Sequence, residues 1–421
     1  MPGTTRTRSR WWAATAGSVR RSPWRRAPGW SRGASPTDHG YRWRVDTRTV
    51  GVEEELLVVD PGSSTVTSRA REVLQEHGER QRGPRGAARA PDQELDQELF
   101  RHQLEIRTAP TTSIDDLVEQ LVAARRSAGE AAAARGLGVA ASGTVPVGVD
   151  EPRVTPDQRY RDMVETFGDV ALLGTTCGMH VHVAVGSPEE GVGCLDRIAA
   201  WLPVLLAMST NSPFSAGKDT GYASWRTQMW SAWPSAGPTE RFGSLVGYQQ
   251  ASERMLASGA ARDRGMLYWD ARLSESWPTV EVRVLDVVTD PDDAGLLAAL
   301  VRALVATAAA QWTADREPVV WRCEELRAAR WRAARYGLSG DLVDPTTHEL
   351  RPAREVVTQL VQLVAEQLEV ADDQHRVADG VDRVLAGSGA SRQRTAYERT
   401  GSVEGVVADL LTRTAASWER R

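Results

Sequence analysis

Three adjacent carboxylates interrupt an apolar run in the segment Gly51-Val-Glu-Glu-Glu-Leu-Leu-Val-Val-Asp60. Burying an unpaired charge costs a large free energy, so this run predicts a cationic partner. Side chains alternate along a β-strand, which places Glu53 and Glu55 on one face and Glu54 on the other. Two carboxylates side by side on an apolar strand suit a hard divalent cation such as Mg²⁺. An edge strand with a solvated acidic end is the alternative.

Two histidines form a second polar pair. In Gly174-Thr-Thr-Cys-Gly-Met-His-Val-His-Val-Ala-Val185, valines alternate with His180 and His182, so a strand would present both imidazoles on the face opposite the valines. Such a pair either binds a metal or contacts a polar ligand, whereas a lone histidine is more often a satisfied core residue. Cys177 could act as a nucleophile near His180, but the sequence marks no third member of such a group.

Two further segments each place one acid and one arginine on the same strand face. The pairs are Glu105 with Arg107 and, later in the chain, Glu281 with Arg283. An acid for a metal and an arginine for a phosphoryl group are what a nucleotide site needs. A cross-strand ion pair would give the same pattern. Glu98 lies a few residues before the first pair, near a predicted helix-to-strand junction.

The four strands predict an α+β fold if they are neighbours in one antiparallel sheet. Their aliphatic sides would then pack against helices, and their polar sides would line an open concave surface. Such a surface has enough acids for two or three Mg²⁺ ions and arginines for phosphate oxygens. The sequence contains no Walker A motif and no GxGxxG that opens a helix, which excludes a P-loop or Rossmann nucleotide site.

The segment from Pro213 to Pro238 is dense in Gly, Trp, Ser and Arg and has no regular period. A long loop of this kind in a compact domain is usually a lid or a binding loop. Lys218 and Arg226 are candidates for contacts with phosphate or carboxylate, with Arg better suited to two parallel hydrogen bonds. Ordinary surface charge is the alternative for each.

Composition excludes several classes of function. The chain has 421 residues, of which 41% are hydrophobic and 25% charged, as in soluble globular proteins. Its net charge of −5 argues against a nucleic-acid partner. We find no apolar run of about 18 residues and therefore expect no membrane span. The three cysteines lack CxxC spacing, so we expect the reducing cytoplasm.

Residues 1–44 differ from the rest of the chain, with ten arginines, a single acid and no sustained period. A basic tail that binds RNA or membrane is one interpretation. We favour a disordered, dispensable extension that need not belong to the native protein. Residues 45–421 are then predicted to form a single domain.

Five ordered blocks of the sequence resemble the signature blocks of the glutamate-cysteine ligase type 2 family, and within it those of the carboxylate-amine ligase branch. The blocks are Val50-Gly-Val-Glu-Glu-Glu-Leu, Glu98 with Leu-Glu105-Ile-Arg-Thr, Gly178-Met-His-Val-His182, Asp219-Thr-Gly-Tyr with Ser224-Trp-Arg226, and Thr279-Val-Glu-Val-Arg283. The resemblance begins near Thr49 and continues to the end of the chain.

The resemblance implies a glutamine-synthetase-like fold, in which a curved antiparallel sheet of about six strands cradles Mg·ATP and helices pack on the convex face. It implies ATP-dependent joining of a carboxylate to an amine through an acyl phosphate. The nominal reaction joins the γ-carboxylate of glutamate to the amino group of cysteine, with only weak activity in this branch. A homodimer is also implied.

The resemblance, together with the strand pattern, assigns roles to individual residues. The predicted metal ligands or their supports are Glu53, Glu55, Glu98, Glu105, His180 and Glu281. Arg283 is predicted to contact the transferring phosphoryl group, with His182 and Lys218 also near phosphate. The predicted amino-acid contacts and lid residues are Arg107, Tyr222, Trp225 and Arg226.

Three other functions remain open at this point. A guanidino-kinase-like phosphotransferase would use a similar cradle and form a phosphorylated product without an amide. A metal-dependent amidohydrolase could use His180 and His182 with Zn²⁺ and without ATP. A non-catalytic relative would bind ATP without turnover.

Overall fold

The computed structural model of the chain describes residues 47–81, 95–97, 100–149, 154–173 and 175–419. The predicted basic extension, residues 1–44, lies outside these ranges, and so does Glu98, one of the predicted metal ligands. All of the described residues belong to one compact unit. The single-domain boundary at residue 45 stays a prediction.

Twelve strands occur in the described part of the chain. They are β1 (Val50–Asp60), β2 (Thr65–Val66), β3 (Leu95–Gln97), β4 (Gln103–Arg107), β5 (Gly138–Ala140), β6 (Gly178–Ala184), β7 (Phe214–Ser215), β8 (Lys218–Asp219), β9 (Ala271–Leu273), β10 (Thr279–Asp286), β11 (Asp341–Val343) and β12 (Leu350–Pro352). Six of them form the main antiparallel sheet in the order β3-β4-β1-β6-β10-β9, and β2 and β5 pair with the second half of β1. Two small hairpins, β7-β8 and β11-β12, lie apart from it.

Fifteen α-helices fill most of the remaining described residues. They are α1 (Ala70–Gln81), α2 (Ile114–Ala133), α3 (Gln158–Phe167), α4 (Asp169–Leu172), α5 (Pro188–Ile198), α6 (Leu202–Ser209), α7 (Trp225–Trp230), α8 (Leu245–Ala257), α9 (Pro291–Thr313), α10 (Cys323–Tyr336), α11 (Ala353–Leu363), α12 (Ala365–Ala371), α13 (Gln374–Ala386), α14 (Gly389–Thr400) and α15 (Val403–Glu419). Helix α2 begins directly after Ser113, whose hydroxyl caps it by accepting from the backbone N–H of Asp116.

The register of the sheet brings the polar pairs together. On β1, Glu53 lies opposite Arg107 of β4 on one side and His180 of β6 on the other. On β10, Glu281 lies opposite His182 of β6. Since directly opposed residues share a sheet face, the acids, histidines and arginines of four strands form one polar surface.

The opposite face of the sheet packs against helices and forms the core. Val52, Leu56, Val181 and Val282 of this face are all at most 1% exposed. Helices α2, α9 and α6 contact the strands on this side. The predicted alternation of aliphatic and polar residues therefore corresponds to a core face and a second, polar face.

The third carboxylate of the glutamate run, Glu54, points into this core. Arg125 of α2 donates from Nε and Nη2 to its two oxygens, each at 2.8 Å, and both side chains are fully buried. Arg125 also donates to the backbone carbonyls of Val288 and Thr289. The cation that the run of carboxylates predicts is thus an arginine for Glu54.

The segment from Pro213 to Pro238 is more ordered than the predicted loop. It contains the hairpin β7-β8 and helix α7, whose N-cap Ser224 accepts from the backbone N–H of Thr227. The Ser224 hydroxyl also donates to Asp286 of β10, which ties the start of α7 to the sheet. The periodicity of the sequence does not predict these side-chain hydrogen bonds.

Two helical stretches, Pro188–Ser209 and Pro291–Thr313, are long and apolar enough to cross a membrane by length and composition. In the structure, 72% and 83% of their apolar windows are buried inside the protein. Core helices of globular proteins have the same composition, so these stretches are weak evidence for a membrane span.

Candidate active site

Three strands deliver the residues of an acidic centre to one point on the polar face. Glu53 comes from β1, His180 from β6 and Glu281 from β10, and one ligand atom of each lies within 4.8 Å of the others. The His180 Nδ1 atom is 3.3 Å from Glu53 Oε2 and 4.0 Å from Glu281 Oε1. We refer to these three residues as the acidic centre.

The charge states of the acidic centre suit a divalent cation. Burial, reinforced by the positive charge of Arg283, lowers the pKa of His180 to about 4, so its imidazole is neutral at pH 7. Burial alone would raise the pKa of Glu53, but its hydrogen bond with His180 and the nearby imidazole of His182 outweigh burial and lower that pKa well below the usual value. Two carboxylates and a neutral imidazole are groups that bind divalent metals without first losing a proton.

Two arginines hold the carboxylate of Glu281. Arg283, two residues along the same strand, donates from Nη1 to Glu281 Oε1, and Arg272 of β9 donates to Oε2 at 2.8 Å. Burial opposes ionisation of Glu281, but the charges of Arg283 and Arg272 outweigh it, so its pKa is lowered. Arg272 is absent from the residues predicted from sequence, because β9 has only three residues and offers no alternation to read.

His182 differs from His180 in its charge. Its Nδ1 atom is 3.0 Å from the Thr279 hydroxyl, and its Nε2 atom is 3.7 Å from Glu53 Oε1. Burial disfavours the imidazolium, but the nearby carboxylates of Glu53 and Glu281 outweigh it and raise the pKa of His182. The pKa values of the two histidines of this strand are therefore shifted in opposite directions, downward at His180 and upward at His182.

A second acidic pair lies next to the acidic centre. Glu55 of β1 faces Glu105 of β4, and Glu55 Oε2 accepts from the backbone N–H of Gly178 at 2.6 Å. Arg107 forms ion pairs with Glu105, with Glu53 at 3.3 Å and with Asp96 at 3.1 Å. Burial lowers the pKa of Arg107, but these carboxylates outweigh burial and raise it.

A cavity of about 290 Å³ covers the acidic centre. Its sheet side includes Glu53, Glu55, Gln103, Glu105, His180, His182, Glu281 and Arg283. Its other lining residues are Arg159, Tyr160, Met163, Thr176, Trp230, Trp233, Gly265, Tyr268, Arg272, Ser274, Glu275, Ser276 and Trp277. The structure thus brings together all the predicted metal ligands that it describes, with His182 and Arg283.

The predicted substrate residues do not line this cavity. Arg226 is only 4% exposed and donates to the backbone carbonyls of Val284 and Arg283 at 3.4 and 3.3 Å. The rings of Tyr222 and Trp225 are 5.2 Å apart, and the Tyr222 hydroxyl accepts from the indole of a tryptophan of α10.

Two other predicted contacts also lie outside the lining. Lys218, predicted to contact phosphate, is exposed on β8, apart from the main sheet. Arg107 lies beside the cavity, and its guanidinium is occupied by the carboxylates of the sheet. The sequence supplies these five residue positions without the direction of their side chains.

The residues that close the cavity opposite the sheet are not among those predicted from the sequence. Tyr160 and Met163 belong to α3, Trp230 and Trp233 to the end of α7 and the following turn, and Tyr268 follows a single 3₁₀ turn. The high tryptophan content of the segment that includes Trp230 and Trp233 is visible in the sequence. The sequence does not show that the fold turns these side chains toward the sheet.

The sequence matches the model of a known protein family over most of its length. Residues 49–410 match the model of glutamate-cysteine ligase family 2. A Nocardioides protein provisionally named glutamate–cysteine ligase 2-1 is 57% identical over 373 residues, which are 88% of this chain and 97% of that protein. A Frankia alni protein, provisionally named glutamate–cysteine ligase 2-2, is 49% identical over 87% of this chain and 96% of its own length.

Solved structures of low sequence identity share the fold. The glutamate–cysteine ligase from Francisella tularensis in complex with AMP is 12% identical, with a TM-score of 0.62 and 89% of each chain covered. A bifunctional glutathione synthetase from Pasteurella multocida is 16% identical, with a TM-score of 0.63 over 89% of this chain and 53% of that one. The predicted glutamine-synthetase-like α+β fold is confirmed.

Proposed function

The chain belongs to glutamate-cysteine ligase family 2, and on this premise we propose that it is an ATP-dependent ligase that joins a carboxylate to an amine. The proposed products are an amide, ADP and phosphate. The nominal reaction, with weak activity, condenses the γ-carboxylate of glutamate with the amino group of cysteine. The named relatives and the AMP in the Francisella tularensis ligase support a ligase that uses an adenine nucleotide.

The observation that carries the proposal is the convergence of Glu53, His180 and Glu281 within 4.8 Å beside two arginines. These three residues would hold Mg²⁺, and Glu55 with Glu105 offers a second acidic pair for another ion. The chemistry that Mg²⁺ supplies when bound is neutralisation of the charge on phosphate oxygens.

Arg283 supplies fixed positive charge to the site, and His182 lies next to it. Burial lowers the pKa of Arg283, but Glu281 outweighs burial and raises it, so its guanidinium stays charged. His182 has a raised pKa and is buried beside Glu53. In the proposed reaction both groups contact the oxygens of the transferring phosphoryl group, where positioned charge stabilises the transition state.

The proposed reaction has two steps. An oxygen of the substrate carboxylate attacks the γ-phosphorus of ATP, the bond to the ADP oxygen breaks, and an acyl phosphate forms. The nitrogen of the amine then attacks the acyl carbon and loses a proton, while the phosphate leaves with the electrons of the C–O bond. A free carboxylate is a poor electrophile, and phosphorylation supplies the leaving group that the amine displaces.

A screen of amino acids and amines with Mg·ATP tests the proposal. We expect ADP and phosphate to form in equal amounts only when a carboxylate and an amine are both present, with amide detected by mass spectrometry. ADP without phosphate would indicate a phosphotransferase, and turnover without ATP would indicate a hydrolase. Nucleotide binding without any turnover would leave a non-catalytic relative.

A further inference from the structure

The cavity over the acidic centre has one side that is almost entirely aromatic. We define the aromatic wall as Tyr160, Met163, Trp230, Trp233 and Tyr268, all of which line the cavity. The ring of Tyr268 lies 4.7 Å from that of Trp230 and 5.3 Å from that of Trp233. The two indoles are 6.2 Å apart. Three packed rings form a rigid apolar surface that can bind a flat organic group.

Two buried polar side chains in the same cavity lack partners, among the described residues, for part of their hydrogen-bonding capacity. Gln103 and Thr176 are each only 3% exposed. The Gln103 Nε2 atom donates to the backbone carbonyl of Thr176 at 2.7 Å, which fixes the orientation of the amide. Within the described ranges, Gln103 Oε1 and Thr176 Oγ1 have no hydrogen-bond partner. A buried unsatisfied oxygen destabilises the free protein and is satisfied when a ligand donates to it.

The chemistry of this polar side favours a donor with positive charge. The amide leaves an acceptor oxygen free at Gln103, and the hydroxyl of Thr176 can also accept. Glu105 lies two residues after Gln103 on the same strand face, and Glu55 lies opposite Glu105. Arg159 also lines the cavity, but its guanidinium is paired with Asp263 at 3.2 Å. An ammonium group carries three N–H donors and suits these acceptors.

We infer that this part of the cavity binds the amine substrate of the proposed ligase, and that this amine carries an aromatic substituent. Its nitrogen donates to Gln103 Oε1 and Thr176 Oγ1, and its ring packs on the aromatic wall. The inference rests on the proposed function for the identity of the bound molecule as a substrate. It makes an arylalkylamine a better acceptor than a small amine of the same reactivity.

The adenine of ATP is the competing occupant of the aromatic wall, because purines also stack on tryptophan. Adenine offers the two N–H donors of its exocyclic amine to the unsatisfied oxygens, but no positive charge to the neighbouring carboxylates. If the amine occupies the aromatic wall, a substitution in the wall weakens amine binding. If adenine occupies it, the same substitution weakens binding of the ATP analogue.

The test measures binding by calorimetry, with the full chain, Mg²⁺ and a non-hydrolysable ATP analogue present. The probes are 2-phenylethylamine and ethylamine, which share an ammonium group and differ by the ring. We expect 2-phenylethylamine to bind at least tenfold more tightly. Equal binding of the two amines would overturn the inference, as would the absence of binding by both.

Thr176→Val removes a hydroxyl that has no partner in the described part of the protein, so we expect the variant to fold. It should weaken the binding of both amines roughly fivefold to tenfold, the value of one hydrogen bond. The matched control is Thr307→Val, since the Thr307 hydroxyl in α9 is likewise buried without a partner among the described residues and lies outside the cavity lining. Unchanged amine binding in Thr176→Val would overturn the assignment.

Trp230→Leu tests the wall itself. Trp230 is half-buried, and its loss should weaken 2-phenylethylamine about tenfold while ethylamine and the ATP analogue bind as before. Weakened binding of the ATP analogue with unchanged amine binding would assign the wall to adenine and refute the inference. These assays need no turnover, so they test the amine site separately from the proposed ligase function. Amine binding without amide formation for any substrate pair would refute the ligase function and leave the amine site standing.

Discussion

The guanidinium of Arg272 donates to both carboxylate oxygens of Glu281, at 2.8 Å to Oε2 and 3.3 Å to Oε1. Its remaining nitrogen, Nη1, donates to the backbone carbonyls of Arg264, Gly265 and Leu267, at 3.2, 2.6 and 3.3 Å. One side chain therefore links the acidic centre to the turn that precedes Tyr268 of the aromatic wall. Arg272 fixes the orientation of a predicted metal ligand without belonging to the predicted metal set.

Replacing Arg272 by lysine should lower metal affinity about 10- to 100-fold, because residues that orient metal ligands typically contribute that much. Lysine keeps the charge but cannot donate to two carboxylate oxygens and three carbonyls at once. Titration with Mn²⁺ followed by electron paramagnetic resonance measures the affinity directly. Arg351→Lys is the control, since Arg351 forms its ion pairs at a surface position. Equal Mn²⁺ affinity in the two variants would contradict this role.

Glu281→Gln should abolish Mg·ATP-dependent phosphate release, with a loss of at least about 100-fold, because an amide oxygen replaces a charged ligand beside the transferring phosphoryl group. The fold should survive, since glutamine still offers an oxygen to Arg272. Phosphate release and thermal unfolding are measured together. Glu324→Gln, at an exposed position, is the control. Normal turnover in Glu281→Gln would remove Glu281 from the site.

Arg125→Met should reduce the free energy of unfolding by about 3 to 5 kcal/mol, because it leaves the carboxylate of Glu54 buried and unpaired. Urea unfolding followed by circular dichroism measures the change. The double variant Glu54→Leu with Arg125→Met removes both charges and should recover part of the loss. A loss below about 1 kcal/mol in the single variant would show that water reaches Glu54.

His102 should make the protein less stable in mild acid. It is fully buried, and neither ring nitrogen has a hydrogen-bond partner among the residues the structure describes. Burial lowers the pKa of His102 to about 4, below the ordinary value of 6.5. Between these values the unfolded chain binds a proton that the folded protein excludes. The free energy of unfolding is therefore unaffected by His102 above pH 6.5. It falls as the pH drops from 6.5 toward 4, by about 3 kcal/mol in total.

Urea unfolding between pH 7 and pH 4.5 measures this effect of His102. His102→Leu should flatten the dependence of stability on pH, because leucine binds no proton in either state. His375→Leu, at an exposed position, is the control and should keep the steep dependence. The same slope in His102→Leu as in the original protein would assign the acid sensitivity to other groups.

Strand alternation is a local property of the sequence, and it is sufficient to assign Glu53, His180 and Glu281 to the polar faces of their strands. Strand order and register are not needed for that step, but they decide that the three side chains meet. The partner of Glu54 could not be predicted, because Arg125 lies on a helix 71 residues later in the sequence. Long-range pairing of this kind leaves no local signal.

The residues above the sheet could not be predicted for a different reason. Arg226 is expected from the sequence to contact substrate, yet its side chain is directed toward the backbone of β10 and near the carboxylate of Asp286. The wall residue Trp233 lies only seven positions later and does line the cavity. Segments without a period of two or 3.6 give no face assignment, so composition identifies the region and only the fold identifies the side chains.

The three residues of the acidic centre come from β1, β6 and β10. His180 follows Glu53 by 127 positions, and Arg283, the neighbour of Glu281 on β10, follows His180 by 103. During synthesis the first two strands emerge long before the third. A nascent chain therefore exposes an incomplete set of ligands until β10 joins the sheet, so the proposed use of ATP requires a polypeptide in which all three strands have already paired.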